Sequence, residues 1–252
     1  MPSTQSTADG VRVDVVATTA FHRPADVPWE TDADGAQALV EFAGRACYRS
    51  WSKPIPATAT NAGYLRHVIE VGHLSVLEHA AVTLYIRNVS RAVTHEMIRH
   101  RHLSYSQLSQ RHLIEDPAYV VPAPIDGDEE LRAEFERAAE AATAAYQRLM
   151  AHLSDRLGDG GAVAPSKRTR QAAQALLPGA RSTEIVVTGN LRAWRQFIAA
   201  HGTDQADDDL RAVAVRCLER LREVAPHVFR DFDISTLPDG RQIASSALVT
   251  EA

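Results

Sequence analysis

A chain of 252 residues, 45% hydrophobic and 23% charged, can bury a substantial core and fits one large domain. Its net charge of −5 argues against a general nucleic-acid binder, whose affinity rests on neutralising phosphates. No apolar run approaches the roughly 20 residues of a membrane-spanning helix, and the polar start from Met1 to Gly10 lacks the apolar core of a secretion signal, so a cytoplasmic protein is expected.

Residues 1–10 read as a flexible N-terminus and 239–252 as a C-terminal tail, both small and polar, around a single domain at 11–238. Val11 to Val16 alternates apolar with charged residues and predicts a strand. Gly35 to Trp51 predicts a helix with Leu39, Phe42, Ala43 and Ala46 near one face, closed off by the prolines of Lys53-Pro54-Ile55-Pro56. Thr60 to Val71 predicts a second helix, with Leu65, Val68 and Ile69 at helical spacing and Gly72 as its stop. Val82 to Arg87 alternates as a strand, and Ser90 then caps a helix running to about Arg99. Asp128 to Leu157 is a long helix, and Lys167 to Leu177 a shorter one ended by Pro178-Gly179. Glu184 to Thr188 is a β-branched strand, after which Asn190 caps a helix carrying Trp194, Phe197 and Ile198. Asp207 to Val224 is amphipathic, with Leu210, Val213, Cys217, Leu218 and Leu221 on its apolar side. Cys47 and Cys217 both sit in helical, apolar-flanked patterns and read as buried thiols without a disulfide. The pattern is α/β or α+β, with more helix than strand and no internal repeat.

The densest chemistry lies in Arg99-His100-Arg101-His102-Leu103-Ser104-Tyr105-Ser106-Gln107-Leu108-Ser109-Gln110-Arg111. Arginine is a permanently charged fork of donors matched to phosphate and carboxylate oxygens, and the serines and glutamines add short-range donors and acceptors. Such a run suits a many-oxygen anion, a nucleotide or a dinucleotide cofactor. Arg87 and Arg91 extend it into a basic island on an acidic chain. Just upstream, His95-Glu96 and His100 lack the spacing of a zinc helix, and no metal is expected. In His73-Leu74-Ser75-Val76-Leu77-Glu78-His79, the Glu78/His79 pair taken alone reads as structural, each satisfying the other at a strand entry. A nucleophilic Ser109 would need a base and an orienting third group.

The spacing Arg-His-Arg, two residues, Ser, four residues, Ser, one residue, Arg is filled by Arg99, His100, Arg101, Ser104, Ser109 and Arg111. It resembles the signature of the flavin-dependent thymidylate synthases. Phe42 to Tyr48, Val186 to Asn190 and Trp194 to Ile198 extend the resemblance over nearly the whole chain. It implies that family's fold, a central sheet with flanking helices, and a homotetramer with active sites at subunit interfaces. It implies C5 methylation of a uridine 5′-monophosphate without an enzyme nucleophile. The carbon would come from methylenetetrahydrofolate and the electrons from NADPH through FAD, the cofactor carrying the redox chemistry. Ser75, Arg99, His100 and Arg101 would hold FAD, joined by Asn190, Arg192 and Gln196. His73 and His112 would lie on the folate side. Glu96, Arg99, Leu108, Ser109, Gln110, Arg111 and Gln174 would bind the nucleotide, Ser109 and Arg111 at its phosphate. Gln107 would lie where flavin and nucleotide meet, and His201 at the pyrimidine edge, which makes these two the candidates closest to the chemistry.

Four positions depart from the family. His112 stands where it has Tyr, Gln174 and His201 where it has Arg, and Gln196 where close members have His. The Arg replaced by His201 is credited with binding the pyrimidine edge and favouring N3 ionisation. A histidine there removes a fixed charge and a bidentate fork; neutral it supports an ionised base less, and protonated it restores part of that support. Together these changes point to an altered substrate, a slower enzyme or a different register of binding; His112 and Gln174 add small polar partners, so UMP becomes a candidate substrate beside dUMP, since a site that hydrogen-bonds a hydroxyl discriminates strongly for it. Two other classes stay open: a nucleotide-binding flavoprotein, an NADPH oxidase or sensor, that has lost methyl transfer, and a non-enzymatic RNA-binding module. The acidic charge and scarce aromatics speak against the second.

Overall fold

The computed structural model describes residues 4–6, 10–53, 55–110, 118–157 and 166–249. In chain order the elements are β1 (Thr4–Ser6), β2 (Arg12–Thr18), α1 (Gly35–Tyr48), α2 (Asn61–Glu70), β3 (Ala81–Ser90), α3 (Arg91–Met97), β4 (Leu103–Gln107) and β5 (Tyr119–Val121). Then follow α4 (Ala123–Asp126), α5 (Glu129–Leu157), α6 (Lys167–Ala173), β6 (Ser182–Asn190), α7 (Leu191–His201), α8 (Asp208–Val224), β7 (Asp233–Thr236) and β8 (Gln242–Ser245). A four-stranded sheet has the order β2-β3-β6-β4. β1 pairs in parallel with β5, Thr4 opposite Tyr119, and β7 pairs with β8 as an antiparallel hairpin.

The chain falls into two compact units. The first takes residues 1–11, 87–97 and 106–185, and the second takes 12–86, 98–105 and 186–252. β3, β4 and β6 each contribute residues to both.

The second unit is held by the strand interiors that alternation predicts. Val82, Leu84 and Ile86 of β3 and Val187 of β6 are fully buried. α7 begins where Asn190 accepts the Ala193 N–H at 2.8 Å, the expected cap. Its Trp194 donates to the Val82 carbonyl at 3.1 Å, while Phe197 and Ile198 are fully buried. Gly189 lets the strand pack closely here, since a Cβ there would fall 2.2 Å from Leu103 Cδ2 and push that side chain aside. On α8 the predicted stripe of Leu210, Val213, Cys217, Leu218 and Leu221 is buried, as the periodicity dictates.

In the first unit, α5 is capped by Asp128, whose Oδ1 accepts the Glu130 and Leu131 N–H groups. It is anchored by Thr143, which meets the Tyr119 hydroxyl at 3.0 Å. α6 starts at Ser166, which accepts the Thr169 N–H, and gives way after Ala173 to a tight 3-10 turn at Gln174–Leu176.

Three expectations change. α1 does not bury Ala46; its buried face is Ala36, Gln37, Ala38, Val40, Glu41, Gly44 and Arg45. Two of these are charged, and they stay inside because Arg45 Nε donates to Glu41 Oε1 at 2.7 Å and the remaining lone pairs are met by Thr31 and Asn61. Rotating the helix to that face exposes Cys47, so only Cys217 is a buried thiol. Finally, the stretch from 239 is not a bare tail. Gln242–Ser245 forms β8, and the Ala244 N–H donates to the Gly202 carbonyl at 2.8 Å, latching the end of α7. Polarity had suggested mobility, but the ladder to β7 and this backbone bond supply what side chains there do not.

Candidate functional site

The two units divide the candidate residues between them. In the second unit, Ser90-capped α3 has ended and the chain turns through Arg99–His102 into β4, as the signature predicts. Arg99 and Arg101 are exposed on this turn. His100 is half-buried, and its carbonyl is fixed by the Leu103 N–H and by the Tyr105 hydroxyl, which donates at 3.0 Å. Burial pushes the Tyr105 hydroxyl up to about 12, so it remains a donor. His100 Nε2 meets His201 Nε2 at 2.5 Å, and the edge of Phe197 packs against His100. Burial, then the charge of His102, hold the His100 imidazole below its ordinary range.

Leu74–His79 forms a 3-10 turn that leaves His73 and Ser75 exposed. Glu78 pairs with Arg192 at 2.6 Å rather than with His79, so the sequence pairing is replaced by one reaching to α7. Asn190 spends its side-chain oxygen on the helix cap, which leaves its amide N–H groups for a ligand. Gln196 is half-buried on α7. The exposed Arg101, the Arg192 pair and the Ser75 hydroxyl offer cationic and hydroxyl donors of the kind a dinucleotide pyrophosphate takes, and the donor set fits FAD.

In the first unit, Gln107 is fixed by two threonines. Its Nε2 donates to Thr94 Oγ1 at 2.8 Å and to Thr183 Oγ1 at 3.3 Å, leaving Oε1 as its remaining ligand group. Thr94 in turn donates to the Arg91 carbonyl at 3.0 Å. Leu108 donates through its backbone to the Glu184 carbonyl. Gln174 donates to the Gln110 carbonyl, so its amide braces the backbone that follows β4. Ser109 is half-buried and Glu96 exposed. Arg111 and His112 lie outside the described residues.

Motif spacing did not single out Arg91 or Arg181. Arg91 donates its backbone N–H to the Arg181 carbonyl, and burial, then the Arg181 charge, hold the Arg91 guanidinium below its ordinary range. Among the described residues no carboxylate pairs with Arg91. Two like charges side by side are an arrangement that an anion would relieve. The sequence signal was available for Arg91, which stands three residues before Thr94, but Arg181 sits in no motif. Among the described residues no three His, Cys, Asp or Glu side chains gather to hold a metal ion. A cavity of about 420 Å³ lined by Phe21, Arg23, Glu30 and Asp34 contains none of the candidate residues.

Residues 30–227 match the sequence model of the family described as thymidylate synthase complementing protein. The chain is 57% identical over 244 residues to a flavin-dependent thymidylate synthase of Mycobacterium avium (strain 104), covering 96% of this chain and 98% of that protein. It is 58% identical over 248 residues to one of Mycobacterium sp. (strain JLS), with the same coverage. Among solved structures it is similar in fold to a UMP/dUMP methylase, PolB, from Streptomyces cacaoi bound with 5-Br dUMP. That likeness has a TM-score of 0.67 at 20% identity, covering 90% of this chain and 95% of the other.

Proposed function

The chain belongs to the flavin-dependent thymidylate synthase family, and from that premise we propose that it methylates C5 of a uridine 5′-monophosphate, dUMP or UMP. Methylenetetrahydrofolate gives the carbon and NADPH the electrons. Bound FAD supplies the two-electron chemistry between them. The structural observation that carries the nucleotide half of this reading is the half-buried Arg91, beside Arg181 with no carboxylate partner among the described residues, and joined through Thr94 to Gln107.

In this reading Arg91, Ser109, Gln110 and Arg111 hold the phosphate, with Arg99, Leu108 and Glu96 on the nucleotide side. Gln107 offers its amide oxygen, its N–H groups being committed to Thr94 and Thr183. His201 takes the pyrimidine edge. Ser75, Arg99, His100, Arg101, Asn190, Arg192 and Gln196 bind FAD, and His73 and His112 face the folate. Gln174 contributes by shaping the loop at Gln110. The bracing role leaves His112 as the residue on which the 2′-hydroxyl expectation rests. The protein works as a homotetramer in the cytoplasm, which light scattering and cell fractionation check.

The deciding experiment is tritium release from [5-³H]dUMP and [5-³H]UMP with FAD, NADPH and methylenetetrahydrofolate, with the product mass measured. Release with a product heavier by one methyl group supports the proposal and ranks the two sugars. NADPH consumption without release from either nucleotide overturns it in favour of a flavoprotein that has left methyl transfer behind.

A further inference from the structure

The turn that carries Arg99, His100, Arg101 and His102 is tied to β4 through one carbonyl group. A carbonyl oxygen has two lone pairs, and both of those on His100 are taken. One accepts the Leu103 N–H at 3.3 Å, and the other accepts the Tyr105 hydroxyl at 3.0 Å. Leu103 and Tyr105 stand two apart on β4, on the same face of the sheet. Leu103 is buried, and its side chain lies against Gly189. The phenol therefore reaches back five residues along the chain from a strand that is fixed in the core. The His100 ring is held separately, against His201 and Phe197. Those ring contacts leave the peptide plane free to rotate; the bonds to the carbonyl set it.

We propose that Tyr105 is a positioning residue for the cofactor turn: its hydroxyl clamps the His100–Arg101 peptide in the orientation that presents Arg101 to the pyrophosphate of FAD. That the anion is FAD rests on the proposed function above. The peptide between the two residues is trans, so its N–H points opposite to its carbonyl. With the carbonyl drawn toward β4, the Arg101 N–H is turned away from the strand. Arg101 thus offers an oriented backbone donor as well as its exposed guanidinium. Donors that are ordered beforehand lose no freedom when an anion arrives, so the clamp raises affinity through preorganisation.

A phenol suits this position for physical reasons. Its ring spans a gap that a serine hydroxyl could not. Burial pushes the Tyr105 hydroxyl up to about 12, so it stays protonated and donates throughout the neutral range. It is also uncharged. A lysine here would donate but would add a cation beside Arg99, Arg101 and His102. A carboxylate would accept instead of donating, and would draw the arginines away from an incoming anion. A neutral donor fixes the backbone and leaves the charge of the turn unchanged.

Three replacements separate the donor from the ring. Tyr105→Phe keeps the ring and deletes the hydroxyl. Tyr105→4-aminophenylalanine restores an N–H donor at the same ring position, and Tyr105→O-methyltyrosine keeps the oxygen without its hydrogen. Amide hydrogen exchange on the cofactor-free protein reads the clamp itself. The Leu103 N–H shares its acceptor with the phenol, and it should exchange about five- to tenfold faster in Tyr105→Phe. The amine should restore the wild-type rate, and the methyl ether should not. Unchanged exchange at Leu103 in Tyr105→Phe overturns the clamp.

FAD titration, followed by quenching of flavin fluorescence, reads the consequence. The Kd for FAD should rise about tenfold in the Phe and methyl ether proteins and return toward wild type with the amine. NADPH oxidation should shift in its apparent KM for FAD while kcat at saturating FAD holds. A fall in kcat and in melting temperature shared by all three proteins, with no rescue by the amine, overturns the positioning role in favour of general packing. A wild-type protein that takes up no FAD overturns the cofactor reading and the positioning role with it, while exchange at Leu103 still decides whether the clamp exists.

Discussion

Arg45 donates from Nε to Glu41 Oε1 at 2.7 Å, one helical turn apart on α1, with 2% and 0% of the two side chains in contact with water. The pair is stabilised only as a complete network. Thr31 and Asn61 donate to Glu41 Oε2, and Arg45 Nη2 reaches the Thr58 carbonyl. Arg45→Met removes the nearer of the two cations that Glu41 faces and leaves the desolvated carboxylate with Lys53 Nζ alone, 3.6 Å from Oε1. The expected loss is about 3–5 kcal/mol, read from urea midpoints. The double variant Glu41→Gln, Arg45→Met should recover part of it, because no buried carboxylate then remains and Lys53 can turn to water.

Asp231 carries a pH-dependent share of stability. Burial alone would raise its carboxyl, but the hydrogen bonds and charge of Arg195, with the Ser246 hydroxyl, outweigh this and hold it below the usual carboxylate range. A carboxyl whose folded-state value lies below its unfolded value of about 3.9 stabilises the fold above that pH. Its contribution fades as the pH falls through the lower, folded value. Asp231→Asn should cost about 3–5 kcal/mol at neutral pH, since Arg195 is 2% exposed and loses its partner. The gap between wild type and variant should be constant down to about pH 4 and narrow below it. A gap that widens on acidification would remove the ion pair from the account.

Thr94 joins the Arg91 backbone to the Gln107 amide, and it is 1% exposed. Thr94→Val keeps the shape and deletes the hydroxyl. Gln107 then rests on Thr183 alone. Misplacing its free oxygen should lower kcat/KM for the nucleotide roughly tenfold, about 1–2 kcal/mol of a hydrogen bond's worth, while FAD affinity holds. An equal fall in FAD affinity would assign Thr94 to general packing.

The elements were legible wherever periodicity and caps agreed. Asn190, Ser90 and Thr60 each cap the helix that their side-chain chemistry announces. The apolar stripe of α8 is buried as spaced. α1 was misread because hydrophobicity alone assigns Glu41 and Arg45 to solvent, and a buried ion pair inverts the face. The signature located His100 and Gln107, but its spacing could not say what either would touch. The His100–His201 bond links residues 101 apart, and the Arg91–Arg181 contact brings together residues with no shared motif. Local sequence carries no record of such pairings, which exist only once β3 and β6 have set the positions of the residues that follow or precede them.

Arg91 should weaken the free protein and strengthen the complex. Its guanidinium is half-buried and repelled by Arg181, with no carboxylate opposite among the described residues. Desolvating a cation without a partner opposes folding, and an incoming phosphate removes that cost. Arg91→Gln should therefore melt no lower than wild type without ligand. Its affinity for dUMP or UMP should fall about tenfold to a hundredfold, the 1.5–3 kcal/mol of a charge-assisted hydrogen bond. Uridine, which lacks the phosphate, should bind both proteins equally. A variant that melts well below wild type and binds the monophosphates normally would make Arg91 a structural residue and move the phosphate elsewhere.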